Sequence, residues 1–319
     1  MFNLYLLSIL ISSTLIISLF RVNIFFSRII IFLYILVILY FYSHYLLPGE
    51  DLQEYLERAK SGFYSVELIY YFLLNILISD TKDFFYINIL SFWILFTSLL
   101  YLPKQVQRKV LFGYLVYSTS FVFMLGVLNI NRQFFASNMF LMFLLYLPRM
   151  SSFFIMLATV FIHKSTLIFS ALLVTKVGFF NNRVFKGIFY LVLFLLLYFY
   201  SEKFNYQVTG ADFSAFFFFF VTLYAFLSDK SVCFGSLRII KKSHFGSNIF
   251  YIFSVILLPF VISSSSLIVE RLFYFIYLII IVDFSLRVYD KYFMQSCLFL
   301  TIANLVVAFY LFPMKESFL

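Results

Sequence analysis

Apolar runs that carry almost no charge recur along the whole of this chain, and they constrain its fold more than any other feature. A helix needs about 20 residues to cross about 30 Å of hydrocarbon, and several of the runs reach that length. The sequence therefore predicts an all-α, polytopic membrane protein. The runs cover residues 4–20, 29–47, 84–102, 110–128, 133–147, 151–162, 165–175, 187–201, 213–228, 249–269, 272–282 and 292–312.

The composition supports the same interpretation. Hydrophobic residues make up 64 % of the 319 residues and charged residues 12 %, whereas a soluble domain holds about 45–50 % and about 25 %. These proportions exclude a soluble enzyme, a nucleic-acid-binding protein and a disordered chain. The sequence shows no soluble domain and no clear internal repeat, so we expect a single transmembrane domain over residues 1–319.

The distribution of Lys and Arg predicts the orientation of the spans, because cytoplasmic loops are enriched in these residues. Arg21 and Arg28 follow the first run, which places the N-terminus outside. Loop 48–65 is acidic and is expected outside, whereas loop 229–247 is polybasic and is expected in the cytoplasm.

Two segments leave the number of crossings open. Segment 66–79 is interpreted as a re-entrant or interfacial helix at the outer face, because a full crossing there would turn the basic loop 104–109 outward. Segment 151–175 carries His163 in its middle and is interpreted as two short segments that meet there. These choices predict about twelve transmembrane segments, some of them short broken helices, with both termini outside.

Ionisable residues near span ends come from distant parts of the sequence, yet the predicted topology places them all on the outer side. An ionisable residue costs roughly 2.5–3.5 kcal/mol at the centre of a membrane helix and is a functional candidate by default. The residues are Asp51, Glu67, Arg132, His163, Lys164, Glu270 and Arg271.

Two of these residues, Arg132 and Arg271, have a functional and an ordinary interpretation. A planar guanidinium can grip a phosphate through two parallel hydrogen bonds. Alternatively, Arg132 extends to phospholipid head groups, and Arg271 forms an ion pair with Glu270 at the interface. The sequence leaves both interpretations open.

His163 lies where the two short segments of 151–175 are expected to meet. It is either a general base near neutral pH or a hydrogen-bonded structural residue. Asp51 and Glu67 are candidate acids, or part of a solvated acidic face. The sequence contains neither a cluster with metal-ligand spacing nor a glycine-rich phosphate loop, so we expect no metal and no cofactor.

Short motifs follow one another along the chain in a distinctive order. They are G-E-D-L-Q-E-Y (49–55), E-L-I-Y-Y-F-L-L-N (67–75), N-R-Q-F-F-A (131–136), F-I-H-K-S (161–165) and E-R-L-F-Y (270–274). Together they resemble the motifs of the EpsG family of polysaccharide polymerases, relatives of the Wzy-type O-antigen and capsule polymerases. The resemblance covers roughly residues 45–290. In the second motif, Leu68 and Ile69 replace the Pro-Gly of the family.

This resemblance implies a GT-C-like membrane glycosyltransferase, multi-pass in a bacterial inner membrane, with its active site facing the periplasm or the cell exterior. It would join oligosaccharide repeat units carried on polyprenyl diphosphate, by a metal-independent, inverting transfer. The implied partners are the lipid-linked donor and acceptor and membrane lipid. A chain-length regulator membrane protein is a further candidate partner, and no nucleic acid is expected.

The resemblance also implies roles for individual residues. His163 is the expected general base, and Asp51 or Glu67 would orient the acceptor or share that catalytic role. The residues expected to bind the diphosphate or the sugars are Arg132, Arg271, Gln133, Lys164, Tyr55 and Tyr274.

Two other classes of membrane protein remain alternatives. A flippase for lipid-linked oligosaccharides, or another transporter, also has many spans, broken helices and a cationic pocket. A membrane acyltransferase also uses a histidine within the membrane, but its basic surface would join that histidine on the cytoplasmic side. Convergence of Arg132, His163 and Arg271 on one outer-facing cavity would favour the polymerase over a transporter.

Overall fold

The computed structural model describes residues 2–46, 48–62, 67–146, 150–163, 166, 183–202, 214–229, 231–234, 237–263 and 266–315. The helices are α1 (Phe2–Leu19), α2 (Ile24–Tyr45), α3 (Glu50–Lys60), α4 (Leu68–Leu77), α5 (Phe84–Leu99), α6 (Lys104–Ser118), α7 (Phe121–Leu128), α8 (Asn131–Tyr146), α9 (Met150–Ile162), α10 (Arg183–Glu202), α11 (Ser214–Ser228), α12 (Ser247–Ile262), α13 (Ser266–Arg287) and α14 (Phe293–Lys315). Short 3-10 turns at Thr81–Asp83 and Asp290–Tyr292 precede α5 and α14. The prediction of a mostly helical chain is confirmed.

The chain divides into two compact units. The first unit comprises Met1–His163 and Tyr277–Leu319, and the second comprises Lys164–Ile276. Helix α13 therefore begins in the second unit and ends in the first. The expectation of one transmembrane domain stays a prediction.

Two of the described helices are long and apolar enough to cross a membrane, Ile24–Tyr45 and Asp290–Ala308. Helices α6 and α7 reach the necessary length only together, and they meet at an angle of 77°. These helices are those of a membrane protein. The larger number of about twelve crossings stays a prediction.

The first unit has a buried centre and an apolar exterior. Helices α7 and α8 are buried nearly all round, and α8 packs against α5 and α9. The outer helices α1, α2 and α14 expose large apolar side chains, among them Leu10, Leu33 and Ile302. Exposed apolar side chains of this kind are suited to lipid contact.

The bend between α6 and α7 interrupts the apolar run 110–128, which the sequence predicts as one span. The hydroxyl groups of Ser118, Thr119 and Ser120 each donate to the carbonyl three residues earlier, at 2.7, 2.6 and 2.7 Å. The Ser120 hydroxyl also accepts a hydrogen bond from the N–H of Phe123 at 3.1 Å and so caps α7. Side-chain bonds of this kind compete with the helical ladder and favour a break.

The two ambiguous segments contain short helices. Helix α4 has 10 residues, which is too few to cross a bilayer and agrees with the predicted interfacial or re-entrant helix. Helix α9 ends at Ile162, and His163 follows outside it, where the first of the two short segments was expected to end. The second segment, 165–175, lies outside the described residues apart from Thr166.

The second unit contains a small element that the sequence did not predict. Within loop 229–247 the chain forms an antiparallel β-hairpin of β1 (Val232–Phe234) and β2 (Leu237–Ile240), with Cys233 opposite Arg238. Strands this short give no alternating pattern that could be recognised in the sequence. The helices of this unit pack against one another, and α12 contacts both α10 and α11.

Candidate functional site

A buried carboxylate joins two of the residues that the sequence singled out. Glu67, which immediately precedes α4, has 1 % of its surface exposed. Its Oε2 accepts a hydrogen bond from Nη1 of Arg132, and its Oε1 lies 2.9 Å from Nδ1 of His163. Arg132 belongs to the first turn of α8, and His163 follows α9. Three distant segments of the first unit therefore meet at one carboxylate.

The guanidinium of Arg132 is held from two directions. Besides the bond to Glu67, its Cζ lies 4.1 Å from the centroid of the Tyr55 ring, in a cation–π contact. The side chain is only 16 % exposed, and its buried Nε has no acceptor among the described residues. We call Glu67, Arg132, His163 and Tyr55 the Glu67 cluster. Its arginine keeps a donor for a further acceptor.

The contact with Glu67 also determines which nitrogen of His163 carries a proton. The backbone N–H of His163 donates to the carbonyl of Thr159 at 3.0 Å and closes the last turn of α9. An ionised carboxylate can only accept, so Nδ1 donates its proton to Glu67. In the neutral ring Nε2 is then the nitrogen that accepts a proton. This tautomer is the one that a general base needs.

Helix packing and helix polarity together explain where Glu67 lies. Helix α4 packs against α9, and this brings the start of α4 to the end of α9. Glu67 occupies the N-cap position of α4, but its side chain makes no capping bond, since both oxygens are used elsewhere. The positive end of the α4 dipole also favours a carboxylate at this position.

Tyr55 lies on the apolar side of helix α3, and this side faces the Glu67 cluster. Leu52, Tyr55 and Ala59 are buried at a spacing of three and four residues, which is one face of a helix. Asp51 lies one turn before Tyr55 and is half-buried. The opposite face holds exposed charged residues such as Glu57. Helix α3 is therefore amphipathic, and its buried face contacts Arg132 through Tyr55.

The start of α3 is attached to the corner between α7 and α8. The N–H of Gly49 donates to the carbonyl of Leu128 at 2.8 Å, and the N–H of Asp51 donates to Oδ1 of Asn129 at 3.2 Å. A Cβ atom on Gly49 would lie 2.5 Å from Oδ1 of Asn129. Because no real side chain tolerates that distance, this close approach requires glycine.

Asparagines fix α8 against its neighbours next to the cluster. Nδ2 of Asn131 donates to Oδ1 of Asn88 at 2.6 Å, and Oδ1 of Asn131 accepts from the Tyr70 hydroxyl at 3.0 Å. Two turns further along α8, Nδ2 of Asn138 donates to the hydroxyl of Ser91 at 3.0 Å. Sequence reasoning missed these residues, although asparagine in an apolar run is itself a signal for an interhelical hydrogen bond.

The remaining predicted residues have different positions. Gln133 lies beside Arg132 in α8, and its buried Oε1 has no donor among the described residues. Arg271 and Tyr274 belong to the second unit, where the Tyr274 hydroxyl donates to the buried carboxylate of Glu270. Lys164 lies outside the described residues. The substrate-binding roles of these residues stay predictions.

Comparison with known proteins gives no match: no family model, no curated protein and no solved structure corresponds to this chain. Among the described residues, no three His, Cys, Asp or Glu side chains are grouped so that they could hold a metal ion. The Glu67 cluster is therefore the feature from which a function has to be inferred.

Proposed function

We propose that this membrane protein is a glycosyltransferase that polymerises oligosaccharide repeat units carried on polyprenyl diphosphate, at the outer face of a bacterial inner membrane. The order of its motifs, which resembles that of the EpsG family, suggests this reaction. The observation that carries the proposal is the single carboxylate of Glu67, which binds both the candidate phosphate-binding Arg132 and the candidate base His163.

The proposed step is a direct displacement at the anomeric carbon of the donor sugar. The acceptor hydroxyl forms the new C–O bond, and the C–O bond to the diphosphate breaks. The acceptor proton passes to Nε2 of His163, because a positioned base assists this transfer by roughly 10²–10⁴-fold. The diphosphate leaves with additional negative charge, which Arg132 stabilises through its remaining donors.

Within this step Glu67 is a positioning residue rather than the base. A carboxylate that receives hydrogen bonds from a guanidinium is stabilised in its charged form and is a poor proton acceptor. The same bonds fix the ring of His163 and keep its proton on Nδ1. Of the three predicted catalytic residues, His163 is thus assigned the proton transfer, and Asp51 is left to orient the acceptor.

A proton-coupled transporter of lipid-linked oligosaccharides is the second candidate. The observation in its favour is that ionisable side chains paired inside a membrane protein also form proton relays. Glu67 and His163 are both buried and in contact, as such a relay requires. A transporter would move the lipid-linked unit without lengthening its glycan, so the product distinguishes the two functions.

The test is an assay of the purified protein with lipid-linked repeat units, in which the products are separated as a glycan ladder. The wild type should give a ladder, and His163→Gln and Glu67→Gln should lower turnover by roughly 10²-fold. His163→Gln should still bind the lipid-linked donor, because Arg132 keeps its ion pair with Glu67. Activity of the wild type should fall toward acidic pH, because a proton on Nε2 abolishes its basicity.

Two variants outside the cluster serve as controls. His44→Gln replaces a histidine whose Nδ1 lies 3.0 Å from its own helix carbonyl at Tyr40, and Glu57→Gln replaces an exposed carboxylate on α3. Both should polymerise normally. Proton-driven movement of the lipid-linked unit into liposomes, with no ladder from the wild type, would replace the polymerase with the transporter.

A further inference from the structure

Basic residues from three connections meet at one end of the first unit. Nη1 of Arg28 donates to Oε1 of Gln107 at 3.2 Å, and Nζ of Lys109 lies 2.9 Å from Oδ1 of Asp290. These contacts join the start of α2, the start of α6 and the start of α14. We call this set the basic end, and its members are Arg21, Arg28, Lys104, Arg108, Lys109, Arg287 and Lys291.

Arg108 differs from the basic residues beside it. Lys109 also donates to the carbonyl of Val288 at 2.5 Å, and Arg287 lies 3.9 Å from the carboxylate of Asp283. By contrast, Nε and Nη2 of Arg108 are both buried and have no acceptor within the described part of the chain. Two buried donors of a cation without an acceptor are unfavourable, so the site favours a partner that carries oxygen atoms.

The two atoms without acceptors form one functional edge of the guanidinium. Nε and Nη2 present parallel N–H groups, and this geometry matches two oxygens of a phosphate. Aromatic rings lie around the same group: Cζ of Arg108 is 5.1 Å from the ring centroid of Phe20 and 5.9 Å from that of Phe112. Phe112 is fully buried, whereas Phe20 is half-exposed in the turn after α1. Phe20 is therefore the ring that can move aside.

We propose that Arg108 binds the phosphate group of an anionic phospholipid through Nε and Nη2. The surrounding excess of basic residues attracts an anionic membrane surface, and basic pockets between membrane helices hold lipid head groups in this way. The rings of Phe20 and Phe293, whose centroids are 6.3 Å apart, supply an apolar surface for the lipid beside the charged group. This lipid site is separate from the Glu67 cluster and does not depend on the proposed polymerase activity.

The test measures lipid retained by the intact protein in native mass spectrometry. The protein is mixed with phosphatidylglycerol, with diacylglycerol of the same acyl chains, and with inorganic phosphate as a competitor. The wild type should retain phosphatidylglycerol but not diacylglycerol. Arg108→Gln and Arg108→Lys should each lower the retention about tenfold, because lysine keeps the charge but not the two-pronged geometry.

Lys60→Gln is the control, since Lys60 is an exposed cation in the last turn of α3 and does not belong to the basic end. It should retain phosphatidylglycerol like the wild type. Wild-type retention by the Arg108→Lys variant, or equal retention of diacylglycerol, would overturn the two-pronged phosphate site. If inorganic phosphate instead binds on its own and displaces the lipid in an Arg108-dependent way, the site takes soluble phosphate and the lipid assignment is wrong.

Discussion

Glu67 is the residue on which the rest of the candidate site depends. Its carboxylate neutralises the charge of Arg132 and orients the ring of His163 at the same time. Removing one partner of a buried ion pair typically costs about 3–5 kcal/mol, because the other charge stays buried. The loss of Glu67 should therefore affect both the arginine and the histidine.

The role of Arg132 can be separated from its charge. Arg132→Lys keeps a cation for Glu67 but loses the planar face over Tyr55 and the donor Nε. We expect the affinity for the lipid-linked donor to fall about tenfold while the thermal unfolding temperature changes little. Donor binding and unfolding, measured on the same purified samples, check this expectation.

Arg28→Lys is the comparison for that variant. Arg28 donates to Gln107 through Nη1 at 3.2 Å, and a lysine can replace this single bond. The affinity of the Arg28→Lys variant for the lipid-linked donor should equal that of the wild type. If Arg132→Lys also binds the donor normally, then Arg132 contributes only charge, as an arginine that extends to head groups would.

The sequence predicts the ionisable residues of the site, but it does not reveal the uncharged residues that position the surrounding helices. Glu67, Arg132 and His163 interrupt apolar runs and are conspicuous for their cost in a membrane. Gly49 and Asn129 look like ordinary loop residues, because their importance lies in a close approach between segments far apart in the chain. Whether Arg271 acts with Arg132, as the motifs imply, stays a prediction.

At the scale of elements, α3 depends on one glycine for its position over Arg132. In Gly49→Ala the new methyl group would meet Oδ1 of Asn129 at 2.5 Å, and either the asparagine or the start of α3 has to move. We expect a loss of about 1–3 kcal/mol, typical of overpacking. Hydrogen exchange should increase in residues 50–60 in particular, because their anchor is displaced.

A second glycine shows what the same substitution does without crowding. Gly187 lies within α10, and an added Cβ there would have nothing within 4 Å. Gly187→Ala should therefore leave stability unchanged or raise it by about 0.5–1 kcal/mol. Unchanged exchange of residues 50–60 in Gly49→Ala would show that Asn129 yields without disturbing α3.

Apolar periodicity predicted the existence of helices more reliably than their ends. The run 110–128 is apolar throughout, yet three consecutive hydroxyl groups end α6 and start α7 inside it. Hydropathy does not register hydrogen bonds between side chains and the local backbone. The short helix α4 was expected because the charge pattern on both sides of it excluded a crossing.

At the scale of the whole molecule, α2 separates the basic end of the first unit from the Glu67 cluster. The helix has 22 residues and is about 33 Å long, close to the thickness of the hydrocarbon core. It begins beside Arg28 and ends shortly before Gly49. This arrangement agrees with the grouping of basic loops that the sequence predicted, although the side of the membrane on which each end lies stays a prediction.

Cysteine labelling decides the orientation. In a background with Cys233→Ser and Cys297→Ser, we expect Gln53→Cys on α3 to react with a membrane-impermeant reagent in intact cells. Gln105→Cys on α6 should react only after the membrane is opened. Both positions are exposed, so access depends on the membrane rather than on the fold. The reverse pattern would place the Glu67 cluster in the cytoplasm and exclude an outer-face polymerase.

The separation along the chain of the residues that meet at Glu67 sets an order for biosynthesis. Arg132 emerges 65 residues after Glu67, and His163 emerges 96 residues after it. During the first interval the nascent chain contains the Glu67 carboxylate without Arg132. Because an unpaired carboxylate is costly inside a membrane, we expect α4 to stay at the membrane surface until α8 is made. The ion pair can then form before the histidine arrives. The histidine that we propose as the proton acceptor would thus join a site whose charge is already balanced.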